Sequence, residues 1–242
     1  MPPFTIKTTG QATLARPAER AILRITIHDS GPDAAAVSSA VVACSTKIKA
    51  LLAPLSPQNK LGEALPSAAV THWSIGGLAT YSSVVHERQR TRAEKIDAGR
   101  VTRMHYASVE VEAKFRDFGV LAGVAGEVCG MALVSVEGVQ WRLTERTKRE
   151  LARKVRGLAG RDAQERAEDY AEAFGVRRVS VVEVVEEGGN WAGGGGVGVY
   201  SSRRAVQGRR ASRGEGEGDE GLSFTPEEVE VQAEVTVKFV TE

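Results

Sequence analysis

Histidine and cysteine are the residue types in this sequence that most readily bind metals or act as nucleophiles. The chain carries His28, His72, His86, His105, Cys44 and Cys129. They form neither an HExxH nor a CxxC motif, so their spacing predicts neither a metal site nor a Cys/His nucleophile. Cys44 shares a helical stripe with Val41 and Ile48, which predicts a buried structural thiol. We therefore expect no catalytic constellation, no bound metal and a protein that is not an enzyme.

Gly193, Gly195 and Gly198 formally satisfy the G-x-G-x-x-G pattern of dinucleotide-binding proteins. Such a site needs a tight turn that runs directly into a helix, whose N-terminus faces the pyrophosphate. Here the segment 200–204 and further glycines follow instead of a helical pattern. The spacing therefore predicts a flexible linker and no cofactor.

Basic residues are concentrated in two segments, 88–103 and 142–156. Acidic residues interrupt both segments: Glu94, Asp97, Glu145 and Glu150. The whole chain has 32 basic and 31 acidic residues, and aromatic residues make up only 5%. Because nucleic-acid binding needs net positive charge and stacking platforms, these segments are interpreted as solvated surface, with no nucleic-acid partner.

Arg209, Arg210 and Ser212 form an Arg-Arg-Ala-Ser sequence that resembles the sites of basophilic kinases. A phosphate on Ser212 would add roughly −1.5 to −2 charges beside several arginines. The surrounding segment is expected to be accessible, so the sequence predicts a phosphorylation site at Ser212.

Hydrophobic periodicity predicts the elements that would position these residues. Strands are predicted near 4–9, 19–28, 69–85, 105–115, 131–139, 176–187 and 228–239. Helices are predicted after the N-cap residues Asp33, Asp117 and Thr144, and the last of them runs to about Phe174 with Gly175 as its stop. The fold class predicted is α+β, with an antiparallel sheet, helices packed on one face and a split βαβ-like C-terminal half.

Two of these segments carry more specific expectations. The segment 176–187 has valines on both faces, which is typical of an interior strand. The long helix carries an apolar stripe expected to face the core, formed by Leu151, Val155, Leu158, Ala163, Ala167, Tyr170 and Phe174.

The composition indicates an ordinary globular core with two polar excursions. The hydrophobic fraction is 42%, and 242 residues suit one large domain or two small ones. We assign residues 1–187 and 222–242 to the folded part, which leaves open two sub-domains at about 1–85 and 101–242. A polar, basic loop is predicted at 86–100, and a flexible insertion at 188–221, which holds 12 of the 26 glycines.

The location of the protein is predicted from what the chain lacks. We find no apolar run of about 18 residues, the length that a membrane span needs. The N-terminus has neither the basic start nor the apolar stretch of a secretory signal. Two cysteines are too few for a disulfide framework. We therefore expect a cytoplasmic protein with no membrane span.

Four short stretches carry a resemblance to a known family. They are Gly10-Gln11-Ala12-Thr13, Pro17-Ala18-Glu19-Arg20-Ala21, Ala173-Phe174-Gly175-Val176 and Phe224-Thr225-Pro226-Glu227. In this order they resemble the SIMPL-domain family, where the first stretch is a G-x-G/A-x turn. The family includes bacterial periplasmic immunogenic and oxidative-stress-defence proteins, and an animal protein that binds the interleukin-receptor-associated kinase.

The resemblance implies a function without catalytic residues, because the family has none established. Some bacterial members assemble into rings, and the animal member is an adaptor. It therefore implies a non-enzymatic protein with protein partners, acting as a homo-oligomeric scaffold or adaptor in a stress or signalling response. The alternative is a small-molecule-binding protein or enzyme with a pocket between sheet and helices, with acid/base groups from Glu228, Glu230 and Glu234.

Overall fold

The structure is a computed structural model that describes residues 3–86, 101–186, 197–200, 203–204 and 224–242. The described strands are β1 (Thr5–Pro17), β2 (Arg20–Gly31), β3 (Val70–Ile75), β4 (Ala79–His86), β5 (Val101–Phe115), β6 (Val134–Arg142), β7 (Val179–Glu186), β8 (Val197–Tyr200), β9 (Arg203–Arg204) and β10 (Glu228–Thr241). The helices are α1 (Ala34–Leu52), α2 (Phe118–Cys129) and α3 (Glu145–Ala173), and a short 3-10 turn (Ala53–Leu55) follows α1. The predicted α+β class with antiparallel pairing is confirmed.

The chain forms two compact units. The first consists of Met1–Glu19, Trp141–Ser202 and Pro226–Glu242, and the second of Arg20–Gln140 and Arg203–Thr225. These units do not coincide with the two sub-domains, at about 1–85 and 101–242, that the sequence left open. The reason is that β5 pairs with β2, β3 and β4, so strands on both sides of that division belong to one sheet.

In the first unit, β10 is the centre of a small antiparallel sheet. β1 pairs with β10 along nearly its whole length. The other edge of β10 pairs with β7 and, further along, with β8. The side of β10 that alternates Val229, Val231, Val235 and Phe239 is buried, and α3 packs on β1 and β10.

The helix α3 contacts this sheet through small residues. Its buried residues are Thr147, Leu151, Val155, Ala159, Ala163, Ala167 and Ala171. The stripe predicted from the sequence is therefore wrong at Leu158, Tyr170 and Phe174, which are exposed. Alanines every four residues let the helix axis approach the sheet closely, and this rotates the larger residues out to solvent. The predicted cap Thr144 and the left-handed stop Gly175, at φ 76°, are confirmed.

The second unit is built on a sheet in the order β3-β5-β2-β6-β9, with β4 pairing with β5 beyond the end of β3. α1 and α2 both pack on β2 and β5, whose buried residues include Ile25, Ile27, Val111 and Phe115. Both predicted N-caps are confirmed. Asp33 Oδ1 accepts a hydrogen bond from the amide of Ala35 at 2.9 Å, and Asp117 Oδ1 accepts one from Gly119 at 2.9 Å.

The prediction of an interior strand at 176–187 is wrong. In the part of the chain that the structure describes, β7 pairs only with β10, and its residues 181–186 are exposed. Valines on both faces usually indicate a strand covered from both sides. Here α3 lies over β1 and β10 instead, so the valines of β7 have no helix above them.

One turn and two loops predicted from the sequence can be placed relative to the described strands. Gly10-Gln11-Ala12-Thr13 lies within β1 and is not a turn. Of the predicted insertion 188–221, Val197–Tyr200 and Arg203–Arg204 form β8 and β9, and the rest lies outside the described residues. The predicted loop 86–100 lies outside them too, except for His86 at the end of β4.

The expectation that the chain has no apolar run of sufficient length is wrong, because one segment of the described chain, Ala34–Leu55, is long and apolar enough by length and composition to cross a membrane. This segment comprises α1 and the turn after it. Val37, Val41, Cys44, Ile48 and Leu52 recur along it at helical spacing and are buried in the unit, as in a core helix. Since core helices also meet these criteria, the segment is weak evidence for a span.

Candidate functional site

The exposed apolar residues of β7 form the most unusual surface of the first unit. The β7 valines are Val181, Val182, Val184 and Val185, which are 57%, 58%, 61% and 46% exposed. Single exposed valines are ordinary, whereas four within five residues of one strand are unusual. Natural proteins usually protect the edges of sheets, because unpaired strand edges associate with other chains.

A β-bulge at Val182 determines how these valines are oriented. Val181 lies opposite Phe239 and Glu183 lies opposite Lys238, so Val182 is the extra residue. Val184 then lies opposite Val237. Because residues directly opposite each other in an antiparallel pair share a face, Val181 and Val184 both lie on the face that α3 covers.

A groove of about 240 Å³ lies between α3 and β7 on that face. Its apolar lining includes Ala159, Gly160, Val181, Val184, Val237 and Phe239. A Cβ atom built on Gly160 would meet no atom within 4 Å, so the groove is open directly beside the helix. The groove exists because α3 covers β1 and β10 but stops short of β7.

The polar residues that line this groove are Arg156, Gln164, Glu186 and Glu234. Arg156 Nε and Glu186 Oε1 are 3.0 Å apart, and both side chains are about half exposed, at 51% and 40%. Such exposed pairs contribute about 0–1 kcal/mol. Gln164 is exposed and lines the same groove. The groove thus has a largely apolar lining in which Arg156 and Glu186 pair with each other, an arrangement that suits contact with another apolar surface.

Contacts between α3 and β1 fix the position of the helix and so keep the groove open. Thr8 Oγ1 donates to the carbonyl oxygen of Ala163 at 2.7 Å. The amide of Gln11 donates to Asp162 Oδ2 at 2.8 Å. This hydrogen bond, with Arg166 nearby, lowers the pKa of Asp162 against a smaller opposing effect of desolvation.

The N-terminus of α3 is held by Glu19. Its carboxylate accepts hydrogen bonds from the amide of Thr144 and from Thr147 Oγ1, each at 2.8 Å. Burial alone would raise the pKa of Glu19, but these hydrogen bonds and the charge of Arg16 together lower it below its ordinary value. Glu19 is therefore a second cap for the helix, supplied from a distant part of the chain.

The structure scatters the titratable residues that the sequence singled out. His28 lies opposite Ser108 and His72 opposite Lys114, both exposed, while His105 lies opposite Gly31. No group of three or more His, Cys, Asp or Glu residues could hold a metal within the described ranges.

The buried thiol predicted at Cys44 is confirmed. Its Sγ lies 3.7 Å from the carbonyl oxygen of Ala132, and burial raises its pKa against a smaller effect of Lys47. Cys129 is exposed.

The remaining candidate residues are the predicted phosphorylation site and the glutamates of β10, both in the C-terminal part of the chain. Ser212, Arg209 and Arg210 lie outside the described residues, so their prediction stays a prediction. Glu228 and Glu230 are exposed and alternate with the buried valines of β10, which places them on the face away from α3. Glu234 is half-buried and borders the groove.

A second recess, of about 410 Å³, lies on the polar face of the sheet in the second unit. Arg24 Nε is 3.3 Å from Glu112 Oε2, and Thr26 Oγ1 donates to Glu137 Oε1 at 2.6 Å. In this recess Arg24 thus pairs with Glu112, and the Glu137 carboxylate is bound by the Thr26 hydroxyl.

The sequence matches one known protein family over most of its length. A family model described as SIMPL, protein of unknown function (DUF541), matches residues 6–239. The chain belongs to the SIMPL family. The match begins in β1 and ends in β10, so it includes the pairing of the first and last strands and the whole of α3. A search of curated proteins finds no match.

The SIMPL description assigns no activity and no functional residue, so the site has to be judged from its geometry. Sequence reasoning found the valines of β7 but placed them in the interior. It did not single out the close approach of β1 and α3. The signal available for that approach was the four-residue spacing of Ala159, Ala163, Ala167 and Ala171.

Proposed function

We propose that this SIMPL protein is a non-enzymatic scaffold or protein-interaction adaptor that works as a homo-oligomer. The observation that carries the proposal is the run of exposed valines on the edge strand β7. An exposed strand edge binds another strand through its main-chain groups, and apolar side chains beside it add buried area. Protein association is the ordinary use of such a surface.

The groove beside β7 supports the same proposal. Its floor is apolar and the charged side chains Arg156 and Glu186 at its rim are already paired with each other. Catalysis needs a nucleophile, acid or base within hydrogen-bond reach of a reacting group, whereas Arg156 and Glu186 are bound to each other. On this proposal the chain acts in the cytoplasm, in a stress or signalling response, through proteins and not through nucleic acid or a membrane span.

Light scattering over the micromolar range, combined with affinity purification from the native cell, tests the proposal. We expect an assembly larger than one chain, together with partners that are retained by the unmodified chain and lost with a β7 variant. A chain that stays monomeric over the whole range, with no specific partner, would overturn it.

The second candidate function is the binding of a small apolar molecule in the groove between α3 and β7. The open space beside Gly160 favours it. A ligand at a hundred times its Kd stabilises the folded chain by about 2.7 kcal/mol, which a thermal-shift screen detects readily. A Gly160→Leu variant, which fills the groove, would abolish that shift if the ligand binds there. No shift with any metabolite, nucleotide or metal would argue against this function.

A further inference from the structure

We propose that the groove between α3 and β7 binds a small, uncharged aromatic molecule of about the size of indole. The inference rests on the second candidate function, the binding of a small molecule in this groove, and names the chemical class of that molecule. At the equivalent place the second unit carries a ring of its own, that of Trp73, whereas the first unit leaves the space open.

Both units contain the same arrangement of one helix and four strands. In the second unit, β5 pairs with β2 along one edge and with β3 and then β4 along the other, and α1 packs on β2 and β5. In the first unit, β10 pairs with β1 along one edge and with β7 and then β8 along the other, and α3 packs on β1 and β10. The chain order of these elements is also the same, apart from segments inserted after β1 and after β8. Such self-similarity indicates an internal repeat.

The two long strands of this repeat also agree in sequence. Residues 109–115 read Val-Glu-Val-Glu-Ala-Lys-Phe, and residues 233–239 read Ala-Glu-Val-Thr-Val-Lys-Phe. A glutamate, a valine, a lysine and a phenylalanine occupy the same places in both segments. The repeat in sequence thus coincides with the repeat in pairing, so the two units can be compared position by position.

The short strands beside the long ones carry the same bulge. Phe115 lies opposite Val70, and Phe239 lies opposite Val181. In each pair one extra residue then follows on the short strand before the register continues at the lysine. Positions on either side of the bulge are therefore equivalent in the two units, and Val70 corresponds to Val181.

By this register Trp73 of the second unit corresponds to Val184 of the first. Trp73 lies opposite Ala113 and Val184 lies opposite Val237, and each partner stands two residues before the phenylalanine of its strand. Ala113 is buried on the face that α1 covers, so the indole of Trp73 lies on that face as well. The helix-covered face thus carries an indole on β3 where β7 has only an isopropyl group.

The exposed fractions of the equivalent residues follow this difference. Val70 is fully buried and Trp73 is partly buried, whereas Val181 and Val184 are 57% and 61% exposed. Both exposed valines line the groove of about 240 Å³. Because an apolar cavity of about 150 Å³ holds a benzene ring, the groove has room for a ring system of the size of indole.

The charges beside the groove favour an uncharged ring. Arg156 and Glu186 pair with each other at 3.0 Å, so neither needs a charged group from a ligand. Glu234 also lines the groove, but it alternates with Ala233 and Val235 along β10, which directs its carboxylate to the opposite face. A charged molecule would therefore lose hydration without gaining a partner, whereas an apolar ring is complementary to the lining.

Titration calorimetry of the full-length chain with indole tests the proposal. We expect a Kd below about 1 mM. Val184→Trp supplies the ring from the chain itself, as in the second unit, and should raise the Kd for indole at least about tenfold. It should also raise the melting temperature of the chain without ligand, because its ring is buried in the groove. Val184→Phe is a second variant with a smaller ring and should shift both quantities in the same direction.

Val185→Trp is the matched control on the same strand. Val185 lies opposite Thr236, which alternates with the residues of β10 that face α3, so a ring at position 185 lies on the other face of the sheet. This variant should leave the Kd for indole unchanged. Indole that binds Val184→Trp as tightly as the native chain, or no heat of binding to the native chain up to about 1 mM, would overturn the proposal.

Cyclohexanol, an aliphatic ring of similar size, separates this inference from the candidate function on which it rests. A melting-temperature shift with cyclohexanol and none with indole, lost in Gly160→Leu, would overturn the aromatic class and leave the groove as a binding site. No shift with either probe or with any molecule of the screen would overturn both. The oligomeric scaffold is tested separately by light scattering.

Discussion

A Cβ atom placed on Gly10 would lie 2.0 Å from the carbonyl oxygen of Ala159. It would also lie 2.4 Å from the backbone nitrogen of Ala163, so the backbones of β1 and α3 are in direct contact at this point. Real Cβ atoms do not approach other atoms so closely. Glycine is therefore required at position 10 for space. The match of the SIMPL family model includes this position.

We predict that Gly10→Ala destabilises the protein by about 1–3 kcal/mol or more, because the helix must move off the sheet. Gly157→Ala is the matched control on α3 itself, where a Cβ would meet no atom within 4 Å. That substitution should stabilise the helix by about 0.5–1 kcal/mol. Denaturant unfolding of both variants checks the pair. Equal stabilities would show that β1 and α3 are not in backbone contact at Gly10.

We predict that Glu19→Gln lowers stability at pH 7 by about 1 kcal/mol, because two donors at the start of α3 lose a charged acceptor. The pKa of Glu19 in the folded chain lies below its ordinary value of 4.5. Its contribution is therefore complete above that value and is lost as the pH falls through the lowered pKa.

The stability difference between the native chain and Glu19→Gln should thus shrink as the pH falls below 4.5. Thermal unfolding at a series of pH values measures it. Glu145→Gln is the control, since Glu145 is exposed and forms an i,i+3 pair with Lys148. It should cost only about 0.2–0.5 kcal/mol. A Glu19→Gln effect that does not change with pH would contradict the capping role.

We predict that Asp33→Ala lowers stability by about 1 kcal/mol, whereas Asp33→Asn retains most of it. Asp33 Oδ1 accepts from the amides of Ala35 and Ala36 at 2.9 and 3.4 Å, and an asparagine oxygen can accept the same bonds. The helical signal in circular dichroism, followed during urea unfolding, compares the variants. Equal losses in both would indicate that the charge and not the cap is needed.

We predict a coupling of about 0.5–1.5 kcal/mol between Phe4 and Phe174 in a double-mutant cycle. Their rings meet edge to face, with centroids 5.9 Å apart and planes at 84°. Phe174 is exposed, and its ring packs against Phe4. Chemical unfolding of both alanine variants and the double variant gives the coupling. Strict additivity would show that the ring contact contributes nothing.

Local signals in the sequence were sufficient to predict most of the helices and strands. Asp33, Asp117 and Thr144 marked helix starts, because a short polar side chain before an apolar stripe caps the first turn by itself. Strict alternation from Val229 to Phe239 marked β10, since one face of that strand is buried. Gly175 marked the end of α3 through its left-handed backbone conformation.

The candidate site depended on contacts that no local pattern contains. The valines of β7 predict burial on both faces, and the sequence does not show that α3 stops short of them. The orientation of α3 was also missed, because Leu158 and Tyr170 are larger than the alanines that face the sheet. A pattern weighted by hydrophobicity favours the larger residues, while a close approach of helix and sheet selects the smaller ones.

The sequence by itself determined the SIMPL family, the α+β class, the helix caps and the buried thiol of Cys44. Each of these depends on short-range periodicity, on the conformation of one residue or on the order of such signals along the chain. The tertiary structure decided that Gly10 lies against α3 and that the valines of β7 are exposed, with a groove beside them. Those features depend on which strands pair and where a helix crosses them, and long-range packing sets both.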